Sequence, residues 1–595
     1  MRQIFAATLS ILLASPCIVG TAWASVDLDR ALALIPESAT GFVAWPSPKK
    51  SNADCIGMLE QLGVGGAMIA GRPIDLFKAQ FGIGANFDES APVIAYFIGK
   101  GEAATMVFVI GSTDPAAFMQ ANMTPAGDAA LGRYTSSLGM IVSARAVGNN
   151  VIMSPSADAV AGYDASKPMG ARFQARLTSE EWNSLDRADL VYWVEADAMD
   201  ALGKMMRLGS EELPIVAGSN AVTAAANFDS KKILEQLSDA VIAIDIDPLG
   251  VWLRTISIAR EGSALAALTA ARESSTSTKC LRLPGNPFYL AASIDCVGLG
   301  GVEALTDSME LMNIDRALLP EWIVSDGAAI TSVQFAAYPS KLGVAVGGVL
   351  NDSALFIASK NPEGTLARMK ASFLALKGED GGVKRDPQWN DAKTLKSGTI
   401  ANAFELKETI TDMSQMPEGS EYMRLGKQFV VGVRGLVGLA AVKEGGVVVT
   451  FSQRPDVFTR AMAAGVAGGD AALASDATLQ SIEEWLPPKR DAEIFLGVGR
   501  LAMLATSIMS GVGNVFGAEA GAAAPSIPTP DPSMEPLALS LGLGDGRIDG
   551  VLVVPTGVLK YFAAIYASRN ESPAEAAKDD AEGDADENTE DSSAQ

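Results

Sequence analysis

Short apolar runs rich in β-branched residues recur along the chain, each bounded by Gly, Pro or Asp, and this pattern predicts β-strands. The clearest runs occupy residues 93–99, 106–111, 241–247, 250–258 and 342–350. Turn sequences of the kind that join antiparallel neighbours stand at residues 247–250 and at Asp545-Gly546. We therefore expect many of these strands to pair as hairpins.

Helical periodicity appears in two stretches, residues 197–208 and 362–376, where apolar residues recur three and four positions apart. The dipeptides Asp114-Pro115 and Asn361-Pro362 favour helix starts, because Asp or Asn caps the first turn and Pro fits the first helical position. Strands form the majority, with helices after selected strands. The pattern predicts an α+β fold of mainly antiparallel sheet covered by helices.

Four passages recur in the same order in two parts of the chain, which is typical of an internal repeat. The matched passages are residues 34–45 with 282–292, 106–122 with 354–370, 149–160 with 445–458, and 180–199 with 483–503. The displacement is about 248 residues for the first two pairs and roughly 300 for the last two.

This shift in displacement leads us to predict a duplication with extra length in its second copy. The first half would span residues 25–277 and the second half residues 278–567, with an insertion near 371–444. Trp182 and Trp485 belong to the best-matched pair of passages. We expect them to occupy equivalent positions ahead of equivalent strands.

The N-terminus has the layout of a secretory signal peptide over residues 1–24. Arg2 precedes an apolar run over residues 4–20, and the small residues Ala22 and Ala24 mark a cleavage site. A lipoprotein signal centred on Cys17 is the alternative. An exported protein of this kind is periplasmic or extracellular, and the sequence leaves both open.

At the other end of the chain, residues 568–595 form a predicted disordered tail. Residues 571–595 hold ten Asp or Glu and one Lys. Acidic sequence without large apolar groups does not bury enough surface to offset the entropy of ordering.

The whole chain of 595 residues carries a formal net charge of −24. Phosphate backbones are bound chiefly through Lys and Arg, so this charge excludes nucleic acid as an expected partner. Residues 501–518 are the one later candidate for a membrane span, but Ser, Gly and Asn dilute them. A span needs about 20 predominantly apolar residues. We expect no membrane span after signal cleavage.

The chain contains no histidine, which excludes Ser-His-Asp and Cys-His catalysis and His-ligated zinc sites. Ser47 and Lys50 match the spacing of a Ser-Lys dyad but stand in loop-like sequence. Asp245 and Asp247 share one face of a predicted strand, where we expect them to be solvated. We predict no catalytic residues, no cofactor-binding residues and no metal-binding residues, and hence no cofactor.

Three cysteines follow the signal peptide: Cys55, Cys280 and Cys296. The last two are near neighbours in sequence and could form a disulfide, while free buried thiols are an equal alternative. In the tail, Asp584, Asp586 and Asn588 alternate as in a calcium loop. The Gly and the bidentate Glu of that loop are lacking, so a solvated tail is expected instead.

The signal peptide, the passage IPESATGFVAW, the strand that runs into DPAAF and the EEW…DLVYWVE spacing together resemble a family of exported bacterial proteins. That family is uncharacterised, carries a domain of unknown function and is common in planctomycete-like bacteria. The resemblance covers most of residues 25–570. Its motifs are turn and core signals, so it implies a fold but transfers no functional residues.

These observations favour an exported, non-catalytic envelope protein that acts by binding or structural association, with an envelope protein or an apolar ligand as its partner. The first alternative is a carrier of an apolar ligand or lipid in a cavity between sheet and helices, lined by Met199, Met205 and Met206. A hydrolase that works without histidine is the third reading. Oligomeric state does not follow from the sequence.

The signal peptide makes a testable prediction. Intact-mass measurement of the protein from the envelope fraction should give a chain that begins at Ser25, because cleavage follows the Ala22-Trp23-Ala24 site. A chain that begins at Cys17 with added acyl mass would support the lipoprotein alternative. A chain that retains Met1 would contradict export through a cleaved signal.

Overall fold

A computed structural model of the protein describes most of the chain with side chains. The described residues are 26–62, 72–99, 104–126, 132–136, 141–196, 198, 235–247, 249–270, 282–285, 287–297, 329–341, 343–412, 420–465, 472–516, 528–565 and 568. The predicted signal peptide, the acidic tail beyond Ser568 with its calcium-like Asp and Asn residues, Cys280, and Met199, Met205 and Met206 lie outside these ranges.

The described strands number 21, and all of them belong to one sheet. In chain order they are β1 Gly41–Trp45, β2 Val93–Ile98, β3 Thr105–Gly111, β4 Met123–Pro125, β5 Arg133–Ser136, β6 Ile141–Val147, β7 Asn150–Ser154, β8 Leu190–Glu195, β9 Leu237–Asp247, β10 Gly250–Ala259, β11 Leu290–Asp295, β12 Ile330–Ala337, β13 Ala354–Ser359, β14 Gly378–Asp380, β15 Val383–Thr394, β16 Ile400–Ile410, β17 Val437–Lys443, β18 Gly446–Thr450, β19 Ala492–Leu496, β20 Leu537–Gly544 and β21 Arg547–Pro555.

Fourteen α-helices with defined bounds lie among the described residues. They are α1 Val26–Leu32, α2 Pro48–Gln61, α3 Pro73–Phe81, α4 Pro115–Asn122, α5 Ala157–Ala161, α6 Gly170–Gln174, α7 Ser179–Leu185, α8 Ala264–Leu268, α9 Val344–Gly347, α10 Pro362–Ala375, α11 Ser420–Val431, α12 Pro455–Ala464, α13 Ala477–Glu483 and α14 Val498–Phe516.

Every pairing between these strands is antiparallel, and the hydrogen-bonded neighbours form a single row. From one edge to the other the order is β4-β5-β6-β7-β3-β2-β1-β8-β9-β10-β21-β20-β19-β11-β12-β13-β18-β17-β16-β15-β14. The row begins and ends with a strand of three residues.

The single sheet corrects the predicted fold of two duplicated halves. Strand β10 pairs along its length with β21, so strands from both parts of the chain share one sheet. The strands on the two sides of the β10–β21 pair follow one another in a similar order. The recurring sequence passages lie in and around these strands. Such patterns specify local strands and turns, whereas sheet membership is decided by long-range edge pairing that local periodicity does not encode. Trp182 lies in α7, whereas Trp485 follows α13 and accepts a hydrogen bond from Trp252 through its carbonyl.

Most local predictions are confirmed. Residues 93–99, 106–111, 241–247 and 250–258 form β2, β3, β9 and β10, and the predicted turns close the β9–β10 and β20–β21 hairpins. The Asp114 and Asn361 side chains cap α4 and α10, accepting from the backbone N–H groups of Ala117 and Gly364 at 3.0 and 3.1 Å. The predicted helix over residues 362–376 is α10.

The predicted strand over residues 342–350 is wrong, because α9 occupies residues 344–347. Gly343 and Gly348 flank this helix with φ values of 71° and 76°, a backbone region that interrupts a strand and favours glycine. A Cβ on Gly348 would stand 2.3 Å from the backbone nitrogen of Gly432. The segment of residues 342–350 therefore contains glycine because its backbone lies close to the end of α11.

Helices cover both faces of the sheet. On one face, a continuous core includes Phe42, Trp193, Trp252 and Phe356, and so runs from β1 across the β10–β21 pair to β13. The opposite face is divided among smaller clusters, such as the one that packs Phe77 of α3 with its neighbours. Within the described part of the chain, α14 included, no helix has the length and apolar character needed to cross a membrane.

A buried ion pair joins the two central strands. Arg254 of β10 points into the core with 4% of its surface exposed, and its Nε donates to Asp549 Oδ1 of β21 at 2.8 Å. A second guanidinium nitrogen donates to the other carboxylate oxygen, and a third donates to Ser184 of α7. Arg547 of β21 also reaches α7, donating to Glu181 Oε2 at 2.6 Å.

We expect Arg254→Met to lower the free energy of unfolding by up to about 3–5 kcal/mol, because it leaves the Asp549 carboxylate, whose side chain is 17% exposed, without its partner. Urea unfolding followed by circular dichroism measures the change. The double variant Arg254→Met/Asp549→Leu should recover most of the loss, since an apolar pair replaces the whole ion pair. Arg260→Met, at an exposed site, is the control. A single variant as stable as this control would show that the pair contributes nothing.

Candidate functional site

A buried cluster of charged residues that includes the sequence candidate Lys50 lies where α2 meets β8 and β9. Lys50 Nζ of α2 lies 3.3 Å from Asp189 Oδ1 and 3.9 Å from Asp54 Oδ2. Ser51 Oγ donates to Asp189 Oδ1 at 2.9 Å, and the Ile246 backbone N–H donates to Asp189 Oδ2 at 3.2 Å. Both carboxylate oxygens of Asp189 are therefore engaged.

Burial and charge act in opposite directions on this cluster. Burial raises the pKa of the Asp189 carboxyl, and the contacts with Lys50, Ser51 and the Ile246 N–H only partly oppose it. Burial alone would lower the pKa of the Lys50 ammonium, but Asp189, Asp245 and Asp54 outweigh it and raise that pKa. Lys50 therefore stays protonated, which makes it a poor general base.

The same backbone contact recurs elsewhere, which favours a structural role for Asp189. Asp491 stands directly before β19, and its Oδ2 accepts a hydrogen bond from the Leu543 backbone N–H of β20 at 2.6 Å. Each aspartate thus binds the backbone of the neighbouring strand at the point where its own strand begins. The Lys50–Asp189 cluster holds α2 against the sheet.

The structure does not assemble a Ser-Lys dyad from the sequence candidates. Ser47 occupies the N-cap position of α2 but makes no side-chain capping bond, and the Lys50 ammonium contacts Asp189 and Asp54. The hydroxyl that shares a carboxylate with Lys50 is that of Ser51, which is 1% exposed. A nucleophile sealed from solvent in this way has no access to a substrate.

The expectation that Asp245 is solvated is wrong. Asp245 is buried, its carboxylate lies 3.6 Å from Arg187 Nε, and the Arg187 guanidinium stands 5.1 Å from the Trp252 ring centre. The alternation of apolar and polar residues along the strand predicts that Asp245 faces solvent. Its carboxylate can be buried instead because it is paired with a cation. The side chain of Asp247 lies outside the described residues.

Cys55 and Cys296 are free, buried thiols. Burial, with a smaller contribution from Asp295, raises the pKa of Cys296 to about 12. A thiol of this kind is almost wholly protonated at neutral pH and is a weak nucleophile. Of the two alternatives that the sequence leaves open for Cys296, the structure shows the free thiol, and Cys280 lies outside the described residues.

A surface cleft lies on the other side of the sheet centre, between the end of β12 and the start of α12. We call it the β12–α12 cleft. It consists of an inner hollow of about 200 Å³ and an outer hollow of about 480 Å³. The inner hollow is lined by Pro284, Pro287, Tyr338, Pro339, Lys341, Asp352, Val457 and Arg460, and the outer hollow by Lys341, Ser397, Pro455, Asp456, Thr459 and Arg460.

Hydrogen bonds to the backbone fix the apolar wall of the inner hollow. Tyr338, directly after β12, is 5% exposed and donates its hydroxyl to the Pro284 carbonyl at 2.8 Å. Leu283, which precedes Pro284, accepts a hydrogen bond through its carbonyl from the Leu473 backbone N–H at 2.7 Å. Proline rings have no backbone donor and few free torsions. The wall is therefore a preformed apolar surface.

An ion-paired aspartate lines the inner hollow beside this wall. Asp352 has a φ of 71°, in the left-handed region that Asp adopts more readily than most residues. Its Oδ2 accepts from Arg454 Nη1 at 2.9 Å and from the Lys341 backbone N–H at 3.5 Å. Its Oδ1 is buried without a hydrogen-bond partner. Arg454 therefore neutralises a carboxylate that is closed off from solvent.

Arg454 also binds the carboxylate on the cleft surface. Its Nη2 donates to Asp456 Oδ2 at 2.6 Å. Burial is the largest single effect on the pKa of Asp456 and raises it. The hydrogen bond and charge of Arg454, the backbone N–H of Asp456 and the charge of Arg460 together outweigh burial, so the pKa is lowered. Both carboxylates of the cleft are thus bound to one guanidinium. Lys341 and Arg460 are the cations that line both hollows.

Sequence reasoning missed this cleft because its lining comes from four separated segments, residues 284–287, 338–352, 397 and 455–460. Two local signals were present. Asn351-Asp352 before an apolar strand is a turn signal, and Arg454-Pro455-Asp456 resembles a helix start. Neither indicates that the two segments meet through the Asp352–Arg454 ion pair.

Comparison with known proteins adds nothing to this geometry: no protein-family model, curated protein or solved structure matches the chain. The resemblance to exported bacterial proteins therefore stays a prediction.

The raised pKa of Asp189 predicts a pH dependence. A carboxyl whose pKa is raised by folding binds its proton more readily in the folded state, so its contribution to stability is present at low pH and is lost as pH rises through the folded pKa. We expect the free energy of unfolding of the wild type, minus that of Asp189→Asn, to increase as pH falls from about 7 to about 4. Urea unfolding at constant ionic strength measures it.

Asp531→Asn is the control of opposite sign. Hydrogen bonds from Ser533 lower the pKa of this exposed carboxyl, so its contribution is lost as pH falls, and the corresponding difference should decrease. A difference for Asp189→Asn that is flat or decreases with falling pH would contradict the role assigned to burial.

Proposed function

We propose that this chain is an exported, non-catalytic envelope protein that acts by binding, and that its binding site is the β12–α12 cleft. The observation that carries the proposal is the convergence of separated segments on a concave surface with a rigid apolar wall and two shared cations. Concave sites with apolar walls and few polar groups are typical of ligand binding. The N-terminal sequence pattern supports export.

The polar groups of the cleft favour binding over catalysis. Asp352 is buried and Asp456 is paired, both through Arg454. General acid–base catalysis needs a group that is free to exchange a proton with the substrate at working pH. The Asp456 carboxylate, which has a lowered pKa and is bound by Arg454, is therefore better suited to stabilising the cleft wall than to exchanging a proton.

The size of the inner hollow favours a small apolar group over a whole lipid. Its volume of about 200 Å³ is below the roughly 300–1,000 Å³ of sites that enclose drug-sized ligands. One ring or one branched aliphatic group fits such a space. The lipid-carrier alternative would need a larger cavity between sheet and helices.

The uncharged fluorescent probe N-phenyl-1-naphthylamine tests the proposal, because its phenyl ring is of the size that the inner hollow fits and its naphthalene extends toward the outer hollow. We expect the mature protein to enhance its fluorescence with saturable, one-to-one binding. Pro287→Trp should weaken this binding by about tenfold or more, because an indole at this exposed position fills the mouth of the inner hollow and each tenfold loss corresponds to roughly 1.4 kcal/mol.

Pro168→Trp is the matched control, since Pro168 is also exposed and lies before α6. It should leave the affinity unchanged, and both variants should keep the thermal midpoint of the wild type. Equal binding by the wild type and Pro287→Trp would place the probe elsewhere and overturn the proposed site.

A further inference from the structure

We infer that the sheet binds one amphipathic α-helix of a partner protein, in an apolar groove over its central strands. We call this the central groove. Its floor is the face of β19, β20 and β21 that points away from the continuous core. Tyr338 of the β12–α12 cleft packs with that core, so the cleft belongs to the other face of the sheet and the two sites are separate.

Strand β20 shows the character of this face. Its residues alternate in burial along the strand. Ala538 and Ser540 point into the core and are 0% and 1% exposed, whereas Leu539 and Leu541 point outward and are 44% and 36% exposed. The small residues thus face the core and the leucines face outward, the reverse of a strand whose outer face is solvated. Leucines in these positions indicate a face that is covered when the protein acts.

The leucines belong to an apolar row that crosses neighbouring strands. Leu539 stands opposite Ile494 of β19, which is 37% exposed, and opposite Leu552 of β21. Leu552 in turn stands opposite Leu253 of β10. Side chains paired in this way lie about 5 Å apart on one face. Each outward residue of β19, β20 and β21 is uncharged. A continuous apolar surface of this kind marks an interaction site.

Helices border this floor on both sides. On one side, α2 packs on β9 and β10 through Ile246 and Val251, with Leu559 beside it. On the other side, α14 packs on β11 and β12 through Leu290 and Phe335. The three strands between these walls span roughly 14 Å, at about 4.8 Å per strand. An α-helix with its side chains is about 10–12 Å across, so the groove has the width of one helix.

The groove favours a helix over an extended segment. Its strands are already paired on both sides, so a ligand on their face gains no backbone hydrogen bonds from the sheet. An extended segment would leave its own N–H and C=O groups unpaired in an apolar site, whereas a helix satisfies them internally. The partner helix therefore turns an apolar face to the groove. Because the chain has a net charge of −24, a basic outer face favours its association.

Two peptides of about 14 residues, roughly 20 Å long as a helix, test the inference. Both consist of Leu and Lys in equal number. In one, Leu recurs at the helical spacing of three and four, and in the other Leu and Lys alternate. We expect the mature protein to bind the helical peptide about tenfold more tightly or better, measured by fluorescence anisotropy of the labelled peptide. Composition and charge are the same, so the difference reports the apolar face alone.

Substitutions on the floor locate the binding. Ile494→Thr and Leu539→Thr should each weaken the helical peptide by about fivefold or more, because they remove apolar surface while keeping a residue that favours strands. Ile141→Thr is the matched control, since Ile141 is 54% exposed on β6, near one end of the row of strands. It should leave the affinity unchanged. All three variants should keep a thermal midpoint close to that of the wild type.

Other occupants of the groove give different results. A wild type that is dimeric by light scattering, with Ile494→Thr monomeric, would assign the groove to a second copy of this chain and overturn the inference. A wild type that binds neither peptide, with Ile494→Thr lowering the thermal midpoint far more than Ile141→Thr, would mean that the chain itself covers the face, and would also overturn it. Equal binding of the two peptides, or full binding by both floor variants, would contradict a helix site.

Discussion

The pairing of β10 with β21 is the constraint on which the rest of the structure depends. Nine residue pairs join these strands, and among the described strands this is the pairing that connects the chain before residue 270 to the chain after residue 282. An unpaired edge would expose a row of backbone donors and acceptors. Side chains reinforce the contact on its core face, where Arg254 binds Asp549 and Trp252 donates to the Trp485 carbonyl at 2.9 Å. The continuous core exists because this junction is closed.

Several charged groups inside the protein attach helices to strands that lie far away in sequence. Asp189 joins α2 to β9, and Arg547 joins β21 to α7. The Asp352–Arg454 pair does the same beside the β12–α12 cleft, where it holds the turn before β13 against the start of α12. Such pairs contribute less to net stability than to the choice of one arrangement among several. In the arrangement seen at the cleft, Lys341 and Arg460 line both hollows.

Local features could be predicted from the sequence, and features that depend on long-range contact could not. Apolar alternation and capping chemistry identified β9, β10 and α10, because these signals act within a few residues. The run at residues 342–350 was misassigned, since its glycines serve a close approach to α11 that only the tertiary structure supplies. Asp245 was expected to be solvated because Arg187 was not known to reach it. The cleft was missed for the same reason: none of its segments carries a chemical motif alone.

The ends of the sheet bear on how this protein behaves at high concentration. The 21 strands of the described residues form a row with two ends, and such a row is a template on which further copies could stack edge to edge into filaments. The terminal strands β4 and β14 have only three residues each; β4 contains Pro125 and β14 is exposed and acidic. Farther along the same margin, Pro387 removes a donor from β15. An added strand would find few hydrogen bonds at either end, and at β14 it would also meet acidic side chains. The fold therefore carries its own protection against polymerisation.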